Sequence, residues 1–182
     1  AEKPQKNERA YDLAGKDGSV KKIIAGDWIR NALNEGKLND GLNETYCPTV
    51  MHYSAPSERQ IYLDHNPDER WWYTCVSPTT PYPSYHIDDW LYSARIMSWM
   101  QYKYGVVGNL YWSTVYWLDP SGSVMQDAYG NAMHFPNVNG DGFLLYPGKY
   151  YGIDGPVGSL RLHAIRDGME DYEALLALDE TT

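Results

Sequence analysis

The chain has 182 residues, enough for one domain with a sizeable core but fewer than the about 250 of a complete eight-stranded α/β barrel. Its net charge of −9 argues against a polyanionic partner such as nucleic acid, and no run approaches the roughly 18 apolar residues of a membrane span. Tyr (17) and Trp (7) far outnumber Phe (2), favouring rings with a polar tip that suit half-wet clefts where the apolar face of a sugar can stack; the plainer alternative is that these rings pack a core.

Residues 1–19 are polar and aperiodic and read as a loop or frayed start. Val20, Ile23, Ile24, Trp28, Ile29 and Ala32-Leu33 then fall at helical spacing, with Gly36 as the stop, and 38–44 reads as a turn-rich linker. Thr45 to Tyr53 reads as a strand despite Pro48, which would remove a ladder hydrogen bond. The segment 54–70 is too polar and broken for a full helix. Trp71 to Val76, aromatic and β-branched, is the second strand, ended by Pro78, Pro81 and Pro83.

From Ile87 to Tyr104 the spacing of Ile87, Trp90, Leu91, Ala94, Met97 and Gln101 predicts a helix, with Asp88 and Asp89 at its positive end and Gly105 closing it. Val106 to Trp112 is the third strand, followed by a long loop over 118–140. Asp141-Gly142-Phe143-Leu144-Leu145-Tyr146-Pro147-Gly148 reads as a turn and a fourth strand. Gly155 to Gly158 reads as a loop, and 159–178 as an amphipathic helix burying Ile165, Met169, Tyr172, Leu175 and Leu176. Strands and helices do not alternate regularly, so two crossovers are irregular.

Few constellations carry chemistry of their own. Asn137 to Gly142 resembles the start of a calcium loop, but the twelfth position, where a bidentate Glu belongs, is Gly148. The five histidines lack metal spacing, and no metal or other cofactor is expected. Cys47 and Cys75 read as buried free thiols, and Asn43-Glu44-Thr45 is a glycosylation sequon. Of the adjacent acid pairs, Asp68-Glu69 precedes a strand and would lie away from a barrel mouth, while Asp179-Glu180 ends the last helix. No catalytic residue is assigned to either pair.

Several motifs in order resemble one family: Trp71-Trp72-Tyr73-Thr74-Cys75, Arg95 with Trp99, Gly108-Asn109-Leu110-Tyr111-Trp112, Gly140-Asp141-Gly142 with Leu145-Tyr146-Pro147-Gly148, Ser159-Leu160-Arg161, and Arg166-Asp167-Gly168-Met169-Glu170-Asp171-Tyr172. Between Tyr46 and Leu178 they resemble the carboxyl-terminal part of the catalytic barrel of glycoside hydrolase family 123, the β-N-acetylgalactosaminidases. The resemblance implies an α/β fold, the carboxyl-terminal half of a (β/α)8 TIM-type barrel, with 1–44 as an extension carrying one helix and 45–182 as the barrel portion.

It further implies retaining hydrolysis of a terminal N-acetylhexosamine by substrate-assisted catalysis, in which the substrate's acetamido group attacks the anomeric carbon. The family's catalytic Asp-Glu pair has no counterpart here, so the chain reads as an inactive fragment of an active parent. The alternative is a non-catalytic carbohydrate-binding or structural barrel module. Tyr73, Trp112 and Tyr146 fall near strand carboxyl ends and, with Trp117 and Asp141, are the expected sugar-lining residues. Arg161 and Arg166 are expected to pair with Asp167 or Glu170. The expected partners are carbohydrate and, because an incomplete barrel leaves sheet edges open, a second copy or the remainder of the barrel. The parent would act outside the cell or in the periplasm if it is exported.

Overall fold

The computed structural model describes residues 22–26, 29, 31, 35, 44–65, 69–135 and 138–180. Its elements are β1 (Lys22–Ala25), β2 (Glu44–Cys47), a 3-10 turn (Val50–Tyr53), α1 (Pro56–His65), β3 (Arg70–Thr74), α2 (Leu91–Tyr104), β4 (Val106–Tyr111), β5 (Leu145–Pro147), a second 3-10 turn (Gly148–Tyr151), β6 (Pro156–Gly158) and α3 (Leu160–Asp179). The class is α/β. The strands form three two-stranded sheets, and no closed barrel occurs among the described residues. Nor is any described helix long and apolar enough to cross a membrane.

β1 pairs in parallel with β2, and β3 in parallel with β4. The two pairs meet at one bridge, Thr49 to Tyr73, where the Tyr73 amide donates to the Pro48 carbonyl at 2.8 Å. Pro48 has no amide to return, so the ladder stops there and the chain turns into the 3-10 segment. The strand expected to run to Tyr53 therefore ends at Cys47. β1 is a second departure: Ile23 and Ile24, spaced as for a helix, extend beside Thr45 and Tyr46. β-branched side chains suit such a paired ribbon, and hydrogen bonds from β1 thus cross the expected division near residue 44. Ile29 is buried, while Val20, Trp28, Ala32, Leu33, Gly36, residues 1–19, 38–43 and Asp68 lie outside the described residues.

The segment 54–70, expected to be irregular, contains α1. Pro56 opens it, where the lost amide has no intrahelical partner to miss, and Glu58 sits in the positive first turn. Only Tyr62 of this helix is buried, so an apolar stripe was never there to be read. α2 begins at Leu91 rather than Ile87. Asp89 accepts from the Ser84 amide at 3.1 Å and holds the approach to the helix as a turn. The helix ends as expected at Gly105, whose φ of 63° lets its amide close back on Gln101 and Tyr102, and β4 begins at the next residue.

α2 and α3 pack against each other on the β3–β4 pair. Trp72, Ala94, Met97, Val106 and Ala164 form the principal core with Tyr53. Helix α3 is capped by Ser159, whose side chain accepts from the Leu162 amide at 3.2 Å. Its buried face carries Arg161, Ala164 and Gly168, not the expected larger stripe; Met169 is 60% exposed. The reason is Gly168, where a Cβ would lie 2.6 Å from the Arg95 carbonyl: the two helices approach too closely for large side chains at the contact. Lastly, β5 does not extend the parallel series. It pairs antiparallel with β6, the segment read as a loop, through a hairpin whose bends use Gly152 and Gly155 at positive φ.

Candidate functional site

The turn before β5 organises the site. Gly140 and Gly142 both take left-handed φ, 77° and 79°, which aims the intervening Asp141 into the protein. A Cβ on Gly142 would lie 2.9 Å from the Trp112 ring, so that ring rests directly on the turn backbone. Asp141 is 1% exposed, and both of its oxygens are engaged. The Tyr111 hydroxyl donates to Oδ1 at 2.9 Å, and Trp112 Nε1 donates to Oδ2 at 2.8 Å. The Gly142 amide donates back to the Tyr111 oxygen at 2.6 Å, closing the ring of hydrogen bonds.

His86 stands beside this network. Its Nε2 donates to the Cys75 carbonyl at 2.8 Å and lies 3.9 Å from Asp141 Oδ1. Burial raises the Asp141 carboxyl above its ordinary range, while the Tyr111 hydrogen bond, His86, Trp112 and Arg161 each pull it back. Tyr111 is raised as well, by burial first and by the Asp141 charge second, so its hydroxyl keeps the proton it donates. With both oxygens occupied by side chains of the protein, Asp141 orients Tyr111 and Trp112 and is not placed as a proton donor to a ligand.

Arg161 supplies the counterpart on the far side of the turn. From the first turn of α3 Arg161, 7% exposed, donates through its guanidinium to the Tyr85 and Phe143 carbonyls and to the Gly140 carbonyl at 2.9 Å. It also reaches the Tyr146 hydroxyl at 3.3 Å. The expected pairing of Arg161 with Asp167 or Glu170 does not occur, because its position faces the 140–143 turn and those acids do not. Arg166 does pair as expected, with Asp167 at 2.7 Å and Glu170 at 3.7 Å.

Trp112 and Asp141 are therefore in direct contact. Trp117 and Tyr146 form a second group, packed against Met125, Ala128, Ala132 and Phe143, with Trp117 Nε1 donating to the Leu145 carbonyl at 2.8 Å. The loop 118–140 is thus a packed wall with its own small core. Tyr73, on β3, joins from the neighbouring strand: its phenol is raised by burial, then by the Cys75 thiol, with the Asp141 charge contributing. Tyr116 extends the aromatic surface, 4.6 Å from Trp112 and 4.7 Å from His134 between ring centroids.

A family model described as the glycoside hydrolase 123 catalytic domain matches residues 1–178. The chain belongs to that family. No curated protein matched the chain. The glycoside hydrolase 123 match begins upstream of Tyr46, where the resemblance read from the sequence begins, and membership points to carbohydrate as the ligand. Within this glycoside hydrolase 123 domain three acids outside the turn are engaged by neighbouring side chains. Glu69 accepts from Trp71 Nε1 at 3.3 Å, and Asp179 accepts from the Tyr102 hydroxyl at 2.6 Å. Asp171 is gripped by Arg95 at 2.6 Å and Trp99 at 2.7 Å, which hold its carboxyl down to about 2.

Sequence reasoning missed Tyr111, His86 and Arg161 as parts of the network. Two glycines flanking Asp141 were the available signal for an inward-pointing carboxylate. Nothing in linear spacing, however, ties residue 86 or 161 to residue 141.

Proposed function

We propose that the chain is the carboxyl-terminal part of a (β/α)8-type hydrolase barrel and supplies the sugar-facing wall of its site. Tyr73, Trp112, Trp117 and Tyr146 line that wall, and Asp141, expected among the lining residues, supports it from behind by holding Tyr111 and Trp112. The reaction is retaining, substrate-assisted hydrolysis of a terminal N-acetylhexosamine of the N-acetylgalactosamine type, with the acid pair contributed from outside these residues. The observation that carries the reading is the buried Asp141 network, which fixes the Trp112 ring, just past the end of β4, against the turn before β5. An indole immobilised in this way meets a pyranose face without first losing side-chain entropy.

Hydrolysis of an aryl N-acetyl-β-galactosaminide tests the proposal. The parent protein is expected to turn it over, and this chain alone to bind N-acetylgalactosamine without turnover. A folded parent that leaves the substrate intact overturns the enzymatic reading. The engagement of Glu69, Asp171 and Asp179 by neighbouring side chains favours one second reading, a carbohydrate-binding module without chemistry. It predicts sugar binding by the parent with no hydrolysis.

A further inference from the structure

The Tyr146 hydroxyl has a fixed sense. Arg161 Nη2 donates to it at 3.3 Å, and a guanidinium carries donors only and does not lose its proton in a protein. The tyrosine oxygen is thus the acceptor in that bond, and its own proton has to go elsewhere. The acceptors around it already receive donors. Arg161 donates to the Gly140 and Phe143 carbonyls, the Ser159 amide to Leu144 at 2.9 Å, Trp117 Nε1 to Leu145 at 2.8 Å and the Tyr129 hydroxyl to Pro147 at 3.3 Å. Asp141 has both oxygens filled by Tyr111 and Trp112. No described residue accepts the Tyr146 proton. The ring itself is half-buried and packs on Tyr129 and Phe143, 5.0 and 6.1 Å away between centroids.

A hydroxyl that accepts from a cation becomes a better donor, because linked hydrogen bonds polarise one another. We infer that Arg161 is a positioning residue that makes Tyr146 a one-way donor, so that the bound sugar must present the lone pair of a hydroxyl oxygen there. The inference rests on the proposed sugar wall and deepens it. Tyr146 then determines specificity beyond the stacking of its ring. A site built to hydrogen-bond a hydroxyl group rejects the analogue lacking it, since the donor is left unmatched. Arg161 acts through the tyrosine oxygen and sets the direction of that bond.

Calorimetric titration of the full chain tests this with N-acetylgalactosamine and its derivatives in which the 3-, 4- or 6-hydroxyl group is replaced by hydrogen or by fluorine. Fluorine keeps a lone pair and carries no proton, so it separates accepting from donating. At one of these positions wild type is expected to lose about fivefold in affinity with hydrogen and about twofold with fluorine, while Tyr146→Phe binds all three sugars alike. Arg161→Lys, which can only donate, should keep the preference for fluorine over hydrogen, and Arg161→Gln, whose amide oxygen can take the tyrosine proton, should lose it. Circular dichroism identifies which variants fold, and the Tyr146→Phe comparison decides the donor role whether or not the Arg161 variants do. Equal losses with hydrogen and fluorine at every position in wild type, or a Tyr146→Phe protein that keeps the wild-type pattern, overturn the one-way donor while the sugar wall stands. A folded Arg161→Gln that still prefers fluorine overturns the part given to Arg161. Failure of wild type to bind N-acetylgalactosamine overturns the wall and this inference together.

Discussion

Asp141 is a carboxylate whose solvation has been replaced by an indole, a phenol and a nearby imidazole. Because Trp112 Nε1 can only donate, Asp141→Asn must present an amide group or a carbonyl to two donors that both need acceptors, and one is left unmatched. The expected cost is ~1–3 kcal/mol in urea unfolding. Its pH dependence has a definite sign. A carboxyl whose folded pKa is raised stabilises fully below the ordinary value near ~3.9, and that contribution is lost as pH rises through the raised one. The gap between wild type and Asp141→Asn should therefore narrow from acid toward neutral pH. A gap that widens would show that the hydrogen bonds outweigh burial.

Among the elements, the α2–α3 pair is the most consequential. Gly168→Ala improves helix propensity by about 1 kcal/mol yet drives a methyl group into the Arg95 carbonyl and the Ser98 side chain. Backbone cannot swing aside as a side chain can, so the net effect is expected to be destabilising by ~1–3 kcal/mol, read from the denaturation midpoint. Stability equal to or above wild type would mean that the helices separate freely. Asp171 clamps the same pair from outside. Its carboxyl is lowered to about 2, so its contribution is present above the ordinary carboxyl range and lost as pH falls toward that value. Asp171→Asn should lower the melting temperature at neutral pH and converge with wild type on acidification.

These elements also explain what could be read from the chain. Helix α3 was legible because Ser159 caps it locally, and the end of α2 because Gly105 supplies the one backbone conformation that closes it. The β5–β6 hairpin was not legible, since Pro156-Val157-Gly158 carries no strand signal until β5 lies beside it. Arg161 illustrates the same limit at the site. Acids close to it in sequence promised a partner, yet three carbonyls from distant segments provide one.

For the whole molecule, β1 and β4 are each paired on one side only among the described residues, and Val107 on β4 is 57% exposed. Such edges template pairing with another chain. Self-association is the expected outcome, visible as a concentration-dependent shift in size-exclusion chromatography, and Val107→Lys should weaken it. A clean monomer at high concentration contradicts the expectation.

The single bridge between Thr49 and Tyr73 makes the middle of the parallel series a seam, stitched to the Pro48 carbonyl by the amide of a residue that also belongs to the proposed sugar wall. Opening the seam and emptying the wall are then linked equilibria, and a ligand resting on Tyr73 holds the two strand pairs together. Amide hydrogen exchange at Tyr73 is the natural gauge of that linkage. It should slow when sugar is bound, while the Met97 amide, deep in α2, exchanges at an unchanged rate.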